Sequence, residues 1–274
     1  MGAATLVGSA TIQLVAGMAF LVVARALSLR HAGDTERLAA RAFVVWWGAL
    51  GVYMVISSAL SLVAAAGYAP LGLFLAARIV NIPLLMLSVW GITFHVAYLF
   101  TGRASLNIII AAFYAVCAAA FFALLVVEAP TGVHVSDWGA ELERAGGTPL
   151  LNVLYVFIGL PPILASLAYG TLYWRVDAPI KKYRIALVAG SILAWVGSGL
   201  VARVSAGDFL KFVTLAIFGL GAAAAVLLAY FPPPGLRARL DPDDLDAHSP
   251  RRQEARRRRE ERRAALAKRC RTLV

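Results

Sequence analysis

Long apolar stretches divided by short polar breaks run along most of this chain. Seven of them reach the roughly 20 predominantly apolar residues that a helix needs to cross the hydrocarbon core of a bilayer. They cover residues 4–27, 42–65, 71–99, 106–127, 150–173, 184–206 and 209–231. Lipid cannot pair with backbone polar groups, and these stretches lack the alternating pattern of barrel strands. They therefore predict membrane-spanning α-helices.

The composition excludes a soluble globular protein. Of the 274 residues, 61% are hydrophobic and 15% are charged, whereas soluble domains have roughly 45–50% and about 25%. The sequence therefore predicts an all-α polytopic membrane helix bundle with about seven transmembrane helices. The transmembrane domain covers residues 1–231, and a hinge rich in proline and aspartate leads into a basic tail over residues 232–274.

The basic residues lie mostly on one side of the predicted bundle. The breaks after the first, third and fifth stretches, together with the tail, hold most of the 26 lysines and arginines. Cytoplasmic loops of membrane proteins carry such an excess. We therefore expect a multi-pass protein of the inner or plasma membrane, with the N-terminus outside and the C-terminus in the cytoplasm.

The formal net charge of +11 comes largely from the tail, where residues 251–263 form a basic run. A solvated, partly helical tail that enforces the topology explains this run. Contact of the tail with anionic lipid, or with a cytoplasmic signalling partner, stays open. A nucleic-acid partner is not expected, because the run contains no aromatic residue on which a base could stack.

Few polar residues interrupt the predicted spans, and no aspartate or glutamate lies in the interior of any of them. Proton-coupled transporters relay protons through such buried carboxylates, so their absence argues against that class. His95 has no second histidine at ligand spacing, and we expect it to pack near the cytoplasmic end of the third span. Cys117 and Cys270 are far apart and imply no disulfide or metal site. No metal, cofactor or catalytic residue is expected.

Arg78 is the exception, since it lies about two turns into the third span from the outer face. It shares a helical face with Asn81, and Pro83 frees a backbone carbonyl that either side chain can satisfy. One interpretation is an arginine that extends outward and stabilises a kink. The other is an outward-facing ligand site for a carboxylate or an anionic lipid headgroup, formed by Arg78 and Asn81 with Arg203 and Lys211 of the last two helices.

Small residues recur at every fourth position on the sixth and seventh stretches, a spacing that lets helix backbones approach closely in lipid. They include Gly190, Ala194 and Ser198 on the sixth stretch, and Gly221 and Ala225 on the seventh. These stripes predict that the two helices pack together, with a homodimer through one stripe as the alternative. Kinks are expected at Pro83 in the third helix and at Pro161 and Pro162 in the fifth.

Two further predictions concern the ends of the helices. Tryptophan and tyrosine favour the membrane–water interface, so we expect Trp46, Trp47, Tyr173 and Trp174 to lie in an aromatic belt. The polar segment 128–149 is the sizeable outer loop of the predicted topology. Three forms are expected for it, namely a small lid, a short amphipathic helix over residues 137–145, or a plain linker.

Short motifs in these helices resemble the seven-helix sensor region at the N-terminus of some bacterial and archaeal histidine kinases and cyclase-type regulators. The likeness covers most of residues 1–236. It rests on Arg41-Ala42-Phe43 leading to Trp46-Trp47, on Phe100-Thr101-Gly102-Arg103, on Tyr183-Arg184 and on Phe218-Gly219-Leu220. The resemblance implies sensing of a small or membrane-dissolved ligand. After residue 234 about 40 residues remain, too few for a catalytic transmitter domain, so output requires a separate partner.

A non-enzymatic membrane sensor or receptor-like protein is the function that these features favour. A transporter or channel, and a non-catalytic membrane subunit or assembly partner, stay open as alternatives. A retinal-binding opsin is disfavoured although the number of helices matches. The last two helices offer only Lys211, at a helix mouth, and the third helix has no carboxylate counter-ion.

Overall fold

The computed structural model describes residues 2–30, 37–136, 139–143, 149–204 and 215–240. For residues 2, 3, 30, 37, 149–152, 154, 155, 198–204, 215 and 216 it describes the backbone alone. Lys211 and the basic run 251–263 lie outside the described residues, and so do the side chains of Ser198 and Arg203. The predictions about these residues stay predictions.

Six long helices account for most of the described chain. They are α1 (Gly2–Arg30), α2 (Arg37–Ala65), α3 (Leu71–Thr101), α4 (Leu106–Val127), α5 (Pro149–Arg175) and α6 (Pro179–Val204). A π-helical turn (Leu215–Gly219) continues into α7 (Leu220–Tyr230), and the short α8 (Pro234–Leu240) follows. Proline begins α5, α6 and α8, since its fixed φ and missing amide hydrogen suit the first helical position. Gly102 ends α3 in a left-handed conformation with φ 66°.

Five helical stretches of the described chain are long and apolar enough to cross a membrane, namely Ala4–Leu29, Leu38–Ala65, Leu71–Thr101, Leu106–Val127 and Val156–Arg175. A sixth is counted if Ile217–Tyr230 and Pro234–Leu240, which meet at a bend of 60°, are one broken span. The prediction of a helical chain of membrane type is therefore confirmed. The number of seven and the orientation stay predictions, since residues 205–214 and part of α6 fall outside this count.

The segment 128–149 contains a small antiparallel hairpin. Strands β1 (Gly132–Val135) and β2 (Ala140–Glu143) pair with Gly132 opposite Glu143. The amphipathic helix expected over residues 137–145 is therefore wrong. The β-branched Val133 and Val135 favour the extended backbone that β1 adopts.

Long-range contacts define two ends of the bundle. At the hairpin end, the hairpin contacts the C-terminal part of α2 through Ser61. At the opposite, basic end, the first turn of α2 contacts the end of α3, and the beginning of α6 contacts the end of α7. Most of the basic residues in the described helices and turns lie at this second end, namely Arg25, Arg41, Arg103, Arg175, Lys181, Lys182, Arg184, Arg237 and Arg239.

Two apolar clusters form the core. The larger one lies mainly among α1, α2, α5, α6 and α7, and its fully buried members include Phe20, Trp46, Leu50, Ile192 and Val226. The smaller one joins α3, α4 and α5 through Ile82, Met86, Phe121 and Ile158. Helix α4 thus packs against α3 and α5 on one side, and its other side faces away from the bundle.

Trp46 and Trp47 lie in the larger cluster and not in an aromatic belt. Both indole rings are fully buried. The Trp47 ring packs against Phe20 with 4.9 Å between ring centroids, and Trp46 meets Trp195 edge-on at 5.7 Å. The belt prediction is wrong for these two residues, whose rings pack against other buried aromatic rings while their indole Nε1 atoms have no hydrogen-bond partner among the described residues. Trp174, by contrast, is 82% exposed.

Glycines bring α1, α2 and α3 into close contact. A Cβ placed on Gly51 of α2 would lie 2.9 Å from the carbonyl oxygen of Gly17 of α1. A Cβ placed on Gly91 of α3 would lie 2.5 Å from the carbonyl oxygen of Ala42 and 2.9 Å from the amide nitrogen of Trp46. Small residues allow this backbone approach in membrane helices.

The prediction that the small-residue stripes form the contact between α6 and α7 is wrong for Gly190 and Gly221. Gly190 and Gly221 are exposed, and nothing described lies within 4 Å of a Cβ built on either residue. Helices α6 and α7 do pack together, but through neighbouring faces that bury Ile192 and Val226. Ala194 and Ala225 are half-buried at the borders of this contact.

The prolines inside the helices do not interrupt them. Helix α3 continues through Pro83, and α5 continues through Pro161 and Pro162. The chain bends by 60° between α7 and α8, where Pro232, Pro233 and Pro234 follow one another. The kinks expected at Pro83, Pro161 and Pro162 stay predictions.

The close contact of Gly91 with α2 predicts that replacing glycine by alanine has opposite effects on stability at positions 91 and 190. We expect Gly91→Ala to lower the free energy of unfolding by about 1–3 kcal/mol, because the two backbones must move apart. We expect Gly190→Ala to be neutral or to stabilise by up to roughly 1 kcal/mol, since the added methyl group meets open space and glycine is a poor helix former. Thermal unfolding in neutral detergent measures both, and equal effects would contradict the close contact.

Candidate ligand site at the hairpin end

The Asn81 side chain lies buried between α3 and α2. Its Nδ2 donates to Ser57 Oγ on α2 at 3.2 Å. Its Oδ1 is also buried, and no hydrogen-bond partner for it lies among the described residues. A buried acceptor without a partner costs about 1–3 kcal/mol. The Asn81 carboxamide therefore offers an open hydrogen-bonding position inside an apolar helix pair.

Ser57 and Ser61 connect Asn81 with the hairpin. Ser61 lies one turn after Ser57 on α2, and its Oγ donates to the carbonyl oxygen of Ser57 at 3.1 Å. The same Oγ accepts the backbone N–H of Ala140 at 3.4 Å. A continuous set of polar contacts thus runs from α3 through α2 to β2.

Arg78 lies one turn before Asn81 and is half-buried. The structure places these two predicted site residues in one region of α3, at the hairpin end. Pro83, two residues beyond Asn81, is exposed on the outer surface of the helix. The guanidinium-bearing Arg78 and the open acceptor of Asn81 therefore belong to the same part of the bundle.

The other two predicted site residues come from elements that are not main neighbours of α3. Helix α3 packs on α2, α4 and α5, whereas α6 packs on α5 and α7. Arg203 belongs to the last turn of α6, and Lys211 follows in the stretch that is not described. The site that the described residues support is therefore Arg78 and Asn81 with Ser57 and Ser61.

The two serines were not recognised as site residues in the sequence. A signal was present, because Ser57 and Ser61 are four residues apart and so lie on one face of an apolar helix. Serine is a common residue in membrane helices, where its hydroxyl usually bonds to a carbonyl of its own helix. Only the pairing of α2 with α3 shows that the Ser57 hydroxyl meets Asn81, with Ser61 one turn further along.

The basic end contains a different polar arrangement, at the end of α7. In an α-helix each carbonyl accepts the N–H four residues later, but Pro232, Pro233 and Pro234 have no N–H. The carbonyls of Leu228, Ala229 and Tyr230 therefore lose their helical donors.

Two side chains of α6 replace two of the three missing donors. Tyr183 donates its hydroxyl to the carbonyl oxygen of Leu228, and Arg184 donates Nε–H to that of Ala229, both at 3.3 Å. The Arg184 guanidinium also lies 5.9 Å from the centre of the Tyr230 ring. A cation at a helix C-terminus is favourable because the last carbonyls carry partial negative charge. We call this set of contacts the α6–α7 clamp.

His95 packs in the larger cluster near the basic end. Its Nδ1 lies 2.8 Å from the carbonyl oxygen of Ala39, and its ring stacks on Phe43 with 4.5 Å between centroids. Within the described ranges no group of three His, Cys, Asp or Glu side chains comes together that could hold a metal ion.

No protein-family model matches this sequence, and no curated protein matches it. The resemblance to seven-helix sensor regions thus rests on its short motifs alone. Two of these motif residues, Tyr183 and Arg184, have a structural role in this chain, because they pair the carbonyls at the end of α7.

The α6–α7 clamp predicts a stability effect at Arg184. We expect Arg184→Ala to lower the free energy of unfolding by about 1–2 kcal/mol, because a charged donor is lost and the Ala229 carbonyl is left unpaired. Lys181→Ala removes an exposed cation from the same helix and is expected to change stability by less than about 0.5 kcal/mol. Thermal unfolding in detergent compares the two variants. Equal losses would mean that the clamp contributes nothing specific.

Proposed function

We propose that this chain is a seven-helix, receptor-like protein of the inner or plasma membrane, with the hairpin end outside and the basic end in the cytoplasm. Large apolar side chains on α4 support the membrane environment, since Ile108 is 75% and Val126 is 80% exposed. Such residues are favourable against lipid and unfavourable in water. The accumulation of lysine and arginine at one end supports the orientation.

The open Oδ1 of Asn81 is the observation that carries the proposed ligand site. An unpaired acceptor in an apolar surrounding binds a group that donates a hydrogen bond, such as a hydroxyl, an amine or an amide. Arg78, one turn away, suits a carboxylate or a phosphate. The proposed ligand is therefore a small or lipid-like molecule with an anionic group and a neighbouring hydrogen-bond donor.

Ligand binding at Asn81 would act on the contact between α2 and α3. The same carboxamide holds Ser57 of α2, and Ser61 holds the hairpin. Towards the basic end the two helices touch again, where Gly91 packs against Ala42 and Trp46. A ligand that favours one arrangement of α2 against α3 would therefore change the basic end, where a separate partner is engaged. It can do so only if it binds the two arrangements unequally.

The ligand site predicts that Asn81→Leu removes the response to ligand while the protein stays folded. The apolar side chain removes a buried acceptor without a partner, so the unfolding temperature without ligand is expected to stay or rise. We expect a compound from a panel of hydroxy acids, amino acids and glycerophosphate headgroups to raise the unfolding temperature of the wild type and not that of Asn81→Leu.

Asn107→Leu is the matched control for this experiment. Asn107 accepts a hydrogen bond from Trp90 Nε1 at 3.1 Å, close to the basic end, so its variant is expected to keep the response. The site is disproved if no compound shifts the wild type, or if Asn81→Leu responds as the wild type does.

The orientation is tested by labelling single cysteines in a Cys117→Ala, Cys270→Ser background. His134 is exposed on β1 and Arg237 is exposed on α8. A membrane-impermeant maleimide added to intact cells or spheroplasts is expected to label His134→Cys directly. Arg237→Cys is expected to react only after permeabilisation. Labelling of both positions from the same side, or the reverse order, would contradict the proposed topology.

A further inference from the structure

The basic end carries a surface that combines positive charge with exposed aromatic side chains. The last turn of α5 and the first turn of α6 come together at the turn 176–178, and α8 packs against α6 beside them. We call this the α5–α6–α8 surface, and its members are Trp174, Arg175, Lys181, Lys182, Arg237 and Arg239. It consists of described residues and does not include the basic run 251–263.

The charge of this surface is almost entirely of one sign. In the described segments 170–197 and 231–240, Asp177 is the one acidic residue. Arg184 belongs to the α6–α7 clamp, but the side chains of Arg175, Lys181, Arg237 and Arg239 are exposed. Lys182 is half-buried, and its Nζ lies 5.6 Å from the centre of the Tyr173 ring.

The bend after α7 directs α8 away from the axis of that helix. None of the α8 residues is buried, and in the proposed topology the 60° angle to α7 brings the short helix towards the plane of the membrane. Arg237 and Arg239 are exposed, whereas Leu236 and Leu240 are half-buried. Phe231, after the end of α7, and Trp174, in the last turn of α5, expose apolar rings at 45% and 82%. Such a combination suits the headgroup region, where aromatic rings insert and cations meet phosphates.

We propose that the α5–α6–α8 surface binds the headgroups of anionic phospholipids. Arginine guanidinium groups hold a phosphate through two hydrogen bonds, and Trp174 would occupy the interface beside the headgroup. An acidic protein would need the cations alone, whereas the exposed Trp174 and Phe231 favour a lipid surface. The inference concerns the basic end and stands independently of the ligand site at Asn81.

The test measures lipid binding to the purified full chain in neutral detergent. Native mass spectrometry and thermal unfolding compare phosphatidylglycerol with phosphatidylcholine. We expect the wild type to prefer phosphatidylglycerol, and Arg237→Gln/Arg239→Gln to weaken its apparent affinity about fivefold for each cation removed. Trp174→Ala is expected to weaken binding as well, although it leaves the charge unchanged.

Arg25→Gln/Arg103→Gln is the matched control, since it removes two exposed charges of the basic end outside the proposed surface. The basic run 251–263 is unchanged in every variant. An equal loss in this control would show that net charge alone attracts the lipid and would overturn the site. The absence of any preference for phosphatidylglycerol would do the same. The proposal would also be overturned if Trp174→Ala left lipid binding unchanged and a soluble acidic peptide bound to the same surface equally well. A protein partner would then explain the surface better than a lipid headgroup does. If the Arg237/Arg239 variant does not fold, Lys181→Gln/Arg175→Gln replaces it.

Discussion

Hydrogen bonding inside an apolar environment is the constraint that shapes both ends of this bundle. An unpaired backbone group in hydrocarbon costs several kcal/mol. At the basic end, Pro232, Pro233 and Pro234 withdraw three amide donors from the end of α7, and Tyr183 and Arg184 supply two in their place. At the hairpin end, Asn81 is paired through one atom and open at the other. Two of the three carbonyls freed at the basic end are thus paired by α6 side chains, while Asn81 Oδ1 at the hairpin end has no partner among the described residues.

Helix α2 connects the two ends. Its glycine face touches α1 at Gly17, and its first turns receive Gly91 of α3. Further along, its serines hold Asn81 and the hairpin. Close backbone contacts of this kind leave little room for independent motion. Through these contacts α2 joins Asn81 at the hairpin end to the aromatic cluster around Trp46 at the other end.

The helices of this fold were predictable because an apolar stretch of membrane length has few alternatives to a helix. The predicted stretches 71–99 and 106–127 correspond to α3 and α4 within two residues at each end. The hairpin was not predicted in its actual form. Its strands are four residues long, and so short a pattern is also compatible with a helix or a linker.

The packing of the helices was less predictable than their positions. The small-residue pattern on α6 and α7 does not show which face of each helix contacts a neighbour. Nothing described lies within 4 Å of a Cβ built on Gly190 or Gly221. The glycines that do permit close contact, Gly17, Gly51 and Gly91, form no regular stripe. Similarly, a tryptophan near a helix end suits either an interface or a core, and Trp46 and Trp47 occupy the core. Half of the candidate site was found because Arg78 and Asn81 are unusual in an apolar helix. Ser57 and Ser61 depend on a helix pairing that no local pattern specifies.

The α6–α7 clamp also has a consequence for the order in which the protein is made. Translation proceeds from the N-terminus, so Tyr183 and Arg184 leave the ribosome before the three prolines do. Two of the donors that α7 lacks are thus already present in α6 when α7 is synthesised. If the order of α6 and α7 in the sequence were reversed, the proline-terminated helix would be synthesised first. Its last carbonyls would then have no hydrogen-bond donors from the neighbouring helix.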